Sequence, residues 1–158
     1  MRRSAREVSE MESIAAVLEA ADVCRIGLYA DDEVYIVPLS FGYELGGDGS
    51  LTLYFHCADE GRKLDMMALN PEVCFEMDTG HDFVPGENEA CESTMKYASI
   101  IGWGRIEALT EKDEKIPALI AIMKHYSKEE SYRFNEELLE RTTVLRLTAR
   151  SFTIKANP

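Results

Sequence analysis

Basic residues are scarce in this 158-residue chain, which has 17 Lys and Arg against 29 Asp and Glu and a formal net charge of −12. A chain this acidic repels phosphate backbones and anionic lipid headgroups unless a local basic cluster attracts them. No run of Lys or Arg is long enough to form such a cluster. We therefore expect it to bind neither nucleic acid nor a membrane surface.

Long apolar segments are missing as well. The longest stretch, residues 116–123, contains Pro117 and is far shorter than the roughly 20 residues that cross a bilayer. The first residues, Met1-Arg2-Arg3, lead into a polar and acidic segment that lacks the apolar core of a signal peptide. These features predict a cytoplasmic protein, and the length predicts a single domain over residues 1–158.

Several chemical motifs are also absent. The sequence has no CxxC pair, no GxGxxG after a strand, no P-loop and no nucleophile elbow, and its histidines share no local metal-ligand spacing. We therefore expect no metal site and no Ser-His-Asp or Cys-His catalytic centre. The cysteines are interpreted as small buried apolar residues in a reducing compartment. The cysteines are Cys24, Cys57, Cys74 and Cys91, and the histidines are His56, His81 and His125.

Alternating apolar residues are frequent and predict strands over residues 24–29, 34–43, 51–57, 72–77, 97–109 and 143–155. Helical spacing predicts a first helix capped by Ser9 and Glu12, a second over 60–69, a third from Thr110 to Tyr126, and a short one around 134–140. A break of the third helix at Pro117 is left open. Three successive strands joined by tight turns favour a mainly β protein, a small antiparallel barrel with peripheral helices.

Three irregularities qualify this pattern. Pro38 interrupts the second strand, which places it at an edge, at a bulge, or where the backbone faces something other than a strand. The apolar phase of the last strand shifts, which predicts a bulge near residues 149–151. Residues 78–92 contain five acidic residues and no Lys or Arg, and we expect them to form a long functional or mobile loop.

The segment from His56 to Lys63 is the strongest candidate for chemistry, because a strand ends and a helix begins within it. A helix N-terminus attracts anions, and Gly61 permits close approach. Arg62 and Lys63 oppose the helix dipole unless an anion, such as a phosphate, joins them. In the alternative interpretation, the neighbouring residues 59–60 neutralise both cations on a solvated face. The residues alone leave these two possibilities evenly balanced.

Two further features have more than one interpretation. His56 is either a neighbour of that anion or a hydrogen-bonded structural histidine. Tyr97, Ser99, Ile101 and Trp103 share one face of their strand, which is typical of a core or a dimer interface but also suits the wall of a flat aromatic ligand.

Four groups of motifs, in this order and spacing, resemble the FMN-binding split-barrel proteins. The resemblance is greatest to the branch related to pyridoxamine 5′-phosphate oxidase that includes the nitroimidazole-resistance (Nim) proteins. It extends over roughly residues 20–109. The motifs are residues 35–43, residues 54–56 with 61–63, residues 70–75, and residues 97–102 with Gly104.

The resemblance implies a split β-barrel of the FMN-binding, antiparallel, Greek-key-like type, forming a homodimer with FMN on each side of the interface. It implies that Arg62 and Lys63 hold the FMN phosphate, and that the backbone of the second strand faces the flavin edge. Ser99 matches a position that reaches the flavin, often from the partner chain. The implied cofactor-binding residues are Val37, Pro38, Leu39, His56, Gly61, Arg62, Lys63, Ser99 and Trp103.

The chain departs from true pyridoxamine 5′-phosphate oxidases, which carry an arginine where Tyr35 stands and a lysine where Ser40 stands. We therefore expect a different activity, that of an FMN-dependent oxidoreductase acting on a small molecule, with NAD(P)H as electron donor. His56 is the candidate catalytic residue, because an imidazole pKa of about 6.5 suits proton transfer. The alternatives are a flavin- or haem-binding protein without turnover, and a structural dimer with an empty site.

Overall fold

The computed structural model describes residues 7–8, 11–127, 129 and 131–157. Within them the chain forms eight β-strands and four α-helices, with one 3₁₀ turn at Ala90–Glu92. In chain order the elements are β1 (Glu7–Val8), α1 (Met11–Ala20), β2 (Cys24–Ala30), β3 (Glu33–Leu39), β4 (Gly42–Leu45), β5 (Leu51–Cys57), α2 (Arg62–Leu69), β6 (Glu72–Val84), β7 (Thr94–Leu109), α3 (Lys112–Tyr126), α4 (Glu136–Glu140) and β8 (Thr143–Asn157).

All strands join one antiparallel sheet in the order β3-β2-β6-β7-β8-β5-β4, with β1 beside the end of β8. The two ends of this order, β3 and β4, are consecutive in the chain and are joined only by residues 40–41. The sheet therefore curls until its two edge strands meet at a corner, and no ladder joins them in the described part of the chain. This arrangement confirms the predicted mainly β, antiparallel split barrel with peripheral helices.

The barrel interior is filled by alternate residues of five strands, because successive side chains of a strand point to opposite faces. Phe55 and Phe75 lie at its centre with no exposed surface. Helices α1 and α2 close the barrel by burying Leu18 and Met66 in the same core. On the outside, α3 covers β4, β5 and the start of β8, where Ala118 packs against Val144.

The remaining outside surface of the barrel consists of β2, β3, β6, β7 and the end of β8, and we call it the outer face. No helix packs over it among the described residues. It carries several large apolar side chains that a helix would otherwise bury. The exposed apolar residues on it are Tyr29, Val34, Ile36, Ile101 and Trp103.

Two local predictions are confirmed by the sheet register. Pro38 lies in β3, which is an edge strand and tolerates a residue without a backbone N–H. Trp103 pairs with Ser151 while the next residue of β7 pairs with Ala149, so Arg150 is the extra residue of a bulge. This bulge returns apolar residues of β8 to the interior on both sides of it.

Two predictions about boundaries are wrong. The second predicted strand is two strands, because Phe41 turns into the core at the corner and its backbone N–H donates to the Tyr126 hydroxyl at 3.0 Å. The predicted acidic loop over residues 78–92 is largely a β-hairpin, because β6 continues to Val84 through a bulge at Thr79/Asp82. Gly80 lies inside that bulge with a φ of 73°, a backbone conformation that residues other than glycine rarely adopt. Only residues 85–93 connect the two strands.

The helix predictions hold with corrections at their starts. The predicted cap residue Ser9 lies outside the described residues, but α1 itself is confirmed. Helix α3 begins after Glu111 rather than at a Thr110 cap, and it continues through Pro117 without a break. Its C-terminal Tyr126 donates to the Asp22 carbonyl at 2.7 Å, which ties the helix to the rest of the fold. No helix in the described ranges is long and apolar enough to cross a membrane.

The interpretation of the cysteines as buried is correct for Cys24 alone. Cys57 and Cys74 are half-buried, and Cys91 is exposed in the 3₁₀ turn. Cys74 alternates with the core residues of β6 and so lies on the outer face. The alternation in the sequence indicates this only when it is known which face of β6 is buried.

Candidate functional site

The start of α2 offers unpaired backbone donors. Gly61 precedes the helix with φ of 131° and ψ of 161°, a conformation that favours glycine, and no atom lies within 4 Å of the position its side chain would occupy. The first helical hydrogen bond runs from the Leu64 N–H to the Gly61 carbonyl at 2.8 Å. The N–H groups of Arg62 and Lys63 therefore have no acceptor in the helix, and no side chain caps it.

Arg62 contacts the edge strand β3 rather than its sequence neighbours. Its guanidinium pairs with the Glu33 carboxylate and lies 4.8 Å from the centre of the Tyr35 ring. Among the described residues neither Asp59 nor Glu60 pairs with Arg62. The alternative interpretation, in which these two acids neutralise the cation, therefore receives no support for Arg62. Glu33 supplies a negative charge next to Arg62 at this helix start.

Lys63 lies on the other side of the same helix start. It forms no ion pair within the part of the chain that the structure describes. It is close to Cys57, the last residue of β5: burial raises the pKa of the Cys57 thiol, and the nearby ammonium offsets part of this effect. The two cations therefore lie between β3 and the end of β5. We call this place, formed by residues 61–63 and the neighbouring edge of β3, the α2 opening.

The predicted flavin-edge residues lie on β3 beside Arg62. Val37 and Leu39 alternate with Tyr35 and pack, half-buried, against the core, whereas Pro38 is exposed on the outer face. Because β3 is an edge strand, one side of its backbone meets no other strand. Residues 37–39 thus lie further along the same edge strand that Arg62 contacts at Glu33 and Tyr35.

His56 points away from the two cations. It pairs with Val144 across β5 and β8, on the opposite face of β5 from Cys57, and its side chain is exposed. None of the described residues forms a hydrogen bond with its ring, so the alternative of a hydrogen-bonded structural histidine receives no support.

Ser99 and Trp103 lie on the outer face and not at the α2 opening. With Ile101 they line a shallow depression of about 290 Å³ between β7 and β8. Trp103 is 45% exposed and Ile101 40% exposed, so this stripe is not core. Within one chain the structure therefore divides the predicted site into two groups that lie on different surfaces.

Sequence reasoning missed a charged network on the outer face. The Arg25 guanidinium donates to Glu76 at 3.1 Å and to Asp78 at 2.7 Å, and a His81 ring nitrogen lies 2.7 Å from the other Asp78 oxygen. Burial and the neighbouring Asp78 raise the pKa of Glu76. Burial also opposes ionisation of Asp78, but His81 and Arg25 hold its pKa below the usual value. In the sequence, this network was indicated only by acidic residues at alternate positions of β6, Glu76 and Asp78.

A cleft of about 620 Å³ was also missed, because it lies between α1, β4 and α3, elements that are far apart in the sequence. Its charged lining consists of Glu19, Glu44 and Lys124, and the ring of His125 also faces it, with its centre 4.5 Å from that of Phe41. The two carboxylates outnumber the single lysine, so a phosphate is less favoured there than at the α2 opening.

Solved structures with similar folds come from several bacteria. A protein provisionally assigned to 5-nitroimidazole antibiotic resistance in Bacteroides thetaiotaomicron is 29% identical, with 94% of this chain and 85% of that chain covered and a TM-score of 0.80. The flavocytochrome Anf3 from Azotobacter vinelandii is 18% identical, with 100% and 72% covered and a TM-score of 0.82. The FAD and heme binding protein from Mycobacterium smegmatis is 17% identical, with 96% and 73% covered and a TM-score of 0.77.

No curated protein matches this sequence. The sequence pattern of the pyridoxamine 5′-phosphate oxidase family, in contrast, matches residues 10–156, which include every strand from β2 onwards and nearly the whole chain. The relative from Bacteroides thetaiotaomicron is consistent with the predicted branch of that family. This chain therefore belongs to the pyridoxamine 5′-phosphate oxidase family.

Proposed function

We propose that this protein binds FMN and acts, as a homodimer, as an FMN-dependent oxidoreductase on a small molecule. The observation that carries the proposal is the start of α2, where an uncapped helix N-terminus and two cations face the opening beside the edge strand β3. Two structural relatives, a flavocytochrome and an FAD and heme binding protein, support a flavin as the ligand of this chain.

The residues at the α2 opening fit a phosphate. Backbone N–H groups of Arg62 and Lys63 have no acceptor in the helix, and the helix dipole favours negative charge at this end. Arg62 supplies a planar fork of donors that suits phosphate oxygens. Glu33 occupies this fork in the described structure, so a phosphate has to share Arg62 with that carboxylate or displace it.

The ring system of the flavin would lie along the free edge of β3, next to residues 37–39. Pro38 suits this place, because a ligand rather than a strand would lie beside it. Ser99 and Trp103 would complete the site from the second copy, since the outer face of one chain holds them away from its own α2 opening. An exposed Trp103 beside exposed Ile101 is typical of a surface that another protein covers.

The flavin would supply the electron transfer, from NAD(P)H to a small acceptor such as a nitro compound. The chain's own residues would fix the cofactor and exclude water from it. Arg62 and Lys63 would hold its phosphate and favour negative charge on the bound group. His56, whose side chain is exposed, would exchange a proton at a ring nitrogen. Tyr35 and Ser40 stand in place of two oxidase cations, so we do not propose oxidation of pyridoxamine phosphate.

The test begins with the visible absorption spectrum of the purified protein and chromatography of the released chromophore. We expect bound FMN, and we expect the Arg62→Ala/Lys63→Ala variant to lose most of it. Lys112→Ala/Lys124→Ala removes two cations elsewhere and serves as the matched control. A colourless protein that takes up no added FMN would refute the proposal, as would equal flavin content in both double variants.

Turnover is tested separately from binding. Stopped-flow mixing with NADPH should bleach the flavin absorbance, and a nitroimidazole should restore it. His56→Ala should retain FMN and slow reoxidation. A His56→Ala protein with normal flavin content and a normal rate would exclude His56 from the mechanism.

A flavin- or haem-binding protein without turnover is the second candidate. It is favoured by two relatives, the flavocytochrome and the FAD and heme binding protein. A Soret band in the purified protein, or a bound flavin that NADPH does not reduce, would support this candidate instead.

A further inference from the structure

The hairpin formed by the ends of β6 and β7 extends the apolar surface of the outer face. We call residues 82–96 the arm, because there the two strands pair only with each other. Phe83 pairs with Met95 across the arm, and both are exposed. Met95 also falls in the same alternating positions of β7 as Ser99, Ile101 and Trp103, so one apolar stripe runs from the barrel onto the arm.

Opposite charges mark the two ends of this stripe. The tip of the arm, residues 85–93, contains three acidic residues and no basic residue. At the other end Glu72 is shared by two arginines, at 2.8 Å from Arg150 and 3.5 Å from Arg105, which leaves this group with a net charge of +1. Both arginines are about two-thirds exposed. From Thr94 to Arg105 the strand spans roughly 36 Å, at about 3.3 Å per residue.

A second copy of the chain is the partner that this pattern fits. Each chain has a formal charge of −12 and repels its copy over most of its surface. The stripe itself carries no charge. The charges that flank it are of both signs, Arg25 with Glu76 and Asp78 on one side and Lys155 on the other, so it permits contact with its copy. In a two-fold symmetric pair, parallel β7 strands would place one acidic tip against the other. Antiparallel β7 strands place each tip at the arginines of the other copy.

We propose that the two chains of the homodimer pack their outer faces with antiparallel β7 strands, and that each arm tip contacts Arg105 and Arg150 of the partner subunit. The Phe83–Met95 pair of each arm then packs near Trp103 of the partner subunit. This inference rests on the homodimer of the proposed function and adds the orientation of its two chains. The orientation decides which part of the outer face of one chain lies nearest the α2 opening of the other.

A charge swap tests the contact. Arg105→Glu changes the arginine group from +1 to −1 and leaves Arg150 to pair with Glu72. Glu87→Lys/Asn88→Lys/Ala90→Lys changes residues 85–93 from −3 to +1. It keeps Glu89 and Glu92, whose carboxylates accept backbone N–H groups in the tip. Each variant alone creates like-charge contacts twice per dimer, whereas an equimolar mixture of the two creates opposite-charge contacts at both places.

Sedimentation velocity at low salt gives the readout. We expect each variant to dimerise about 10-fold more weakly than the wild type, and the mixture to recover wild-type affinity as a heterodimer. Arg141→Glu, an exposed arginine outside the face, is the control and should dimerise normally. Variants that dimerise as the wild type does, or a mixture that stays monomeric, would overturn the orientation while leaving the homodimer intact. A monomeric wild type would overturn both, and flavin content measured on the same samples tests cofactor binding independently.

Discussion

Replacing Glu33 by glutamine tests whether the α2 opening is an anion site. The Glu33 carboxylate holds the Arg62 guanidinium in the described structure, and both side chains are more than half exposed. If a phosphate binds the same guanidinium, it has to compete with this carboxylate. Removing the negative charge while keeping the size of the side chain should therefore strengthen the binding of FMN.

The magnitude follows from the exposure of the pair. An exposed ion pair contributes about 0–1 kcal/mol, and 1.4 kcal/mol corresponds to a factor of 10 in affinity. We therefore expect FMN to bind up to about 5-fold more tightly to Glu33→Gln, as measured by quenching of flavin fluorescence at low salt. At high salt the gain should shrink, because the ions screen exposed charges.

Glu60→Gln provides the matched control. It removes the same charge from an exposed residue next to the α2 start, but Glu60 does not pair with Arg62 in the described structure. A gain confined to Glu33→Gln supports direct competition for Arg62. An equal gain in both variants would show a general effect of charge. No change, or weaker binding by a folded Glu33→Gln protein, would refute the reasoning that the phosphate uses Arg62.

Three further predictions use other parts of the fold. Gly42→Ala should lower the free energy of unfolding by about 1–3 kcal/mol in thermal denaturation, because the added Cβ would lie 2.3 Å from an α3 backbone nitrogen. Trp103→Asp should convert the dimer to monomers in size-exclusion chromatography, since it places a charge on the apolar stripe; an unchanged elution volume would contradict a dimer through the outer face. His81 and Arg25 hold the Asp78 pKa below its usual value although burial opposes this. The wild type should therefore be more stable than Asp78→Asn near neutral pH, and urea denaturation should show that this advantage is lost as the pH falls below about 4.

The strands and their inward residues could be predicted from the sequence, because the period of two is written in the chain. Leu51, Leu53 and Phe55 are fully buried as their alternation indicates. The phase shift before Phe152 also located the bulge correctly. The arm could not be predicted, because residues 78–82, which lead into it, are polar or glycine. This part of β6 is a strand because it pairs with β7, and not because one of its faces is buried.

The sequence also identified the candidate phosphate group without its surroundings. Arg62 and Lys63 follow a glycine at the start of a helix, and that local pattern is sufficient to indicate an anion site. The partner of Arg62 was predicted among its neighbours in the chain, at residues 59–60. The structure places Glu33 there instead, because the closing of the barrel brings β3 to α2 across a separation of 29 residues.

The sequence by itself determined the class of fold, the family, and the residue types at the α2 opening, because these depend on local periodicity, on motif order and on the chemistry of adjacent side chains. Only the tertiary structure decided that Ser99 and Trp103 lie on a different surface from Arg62 and Lys63. Which residues share a surface depends on strand order and register, and the order β3-β2-β6-β7-β8-β5-β4 is set by packing between segments distant in the chain. For the same reason only the folded chain shows an apolar stripe with an acidic tip at one end and paired arginines at the other.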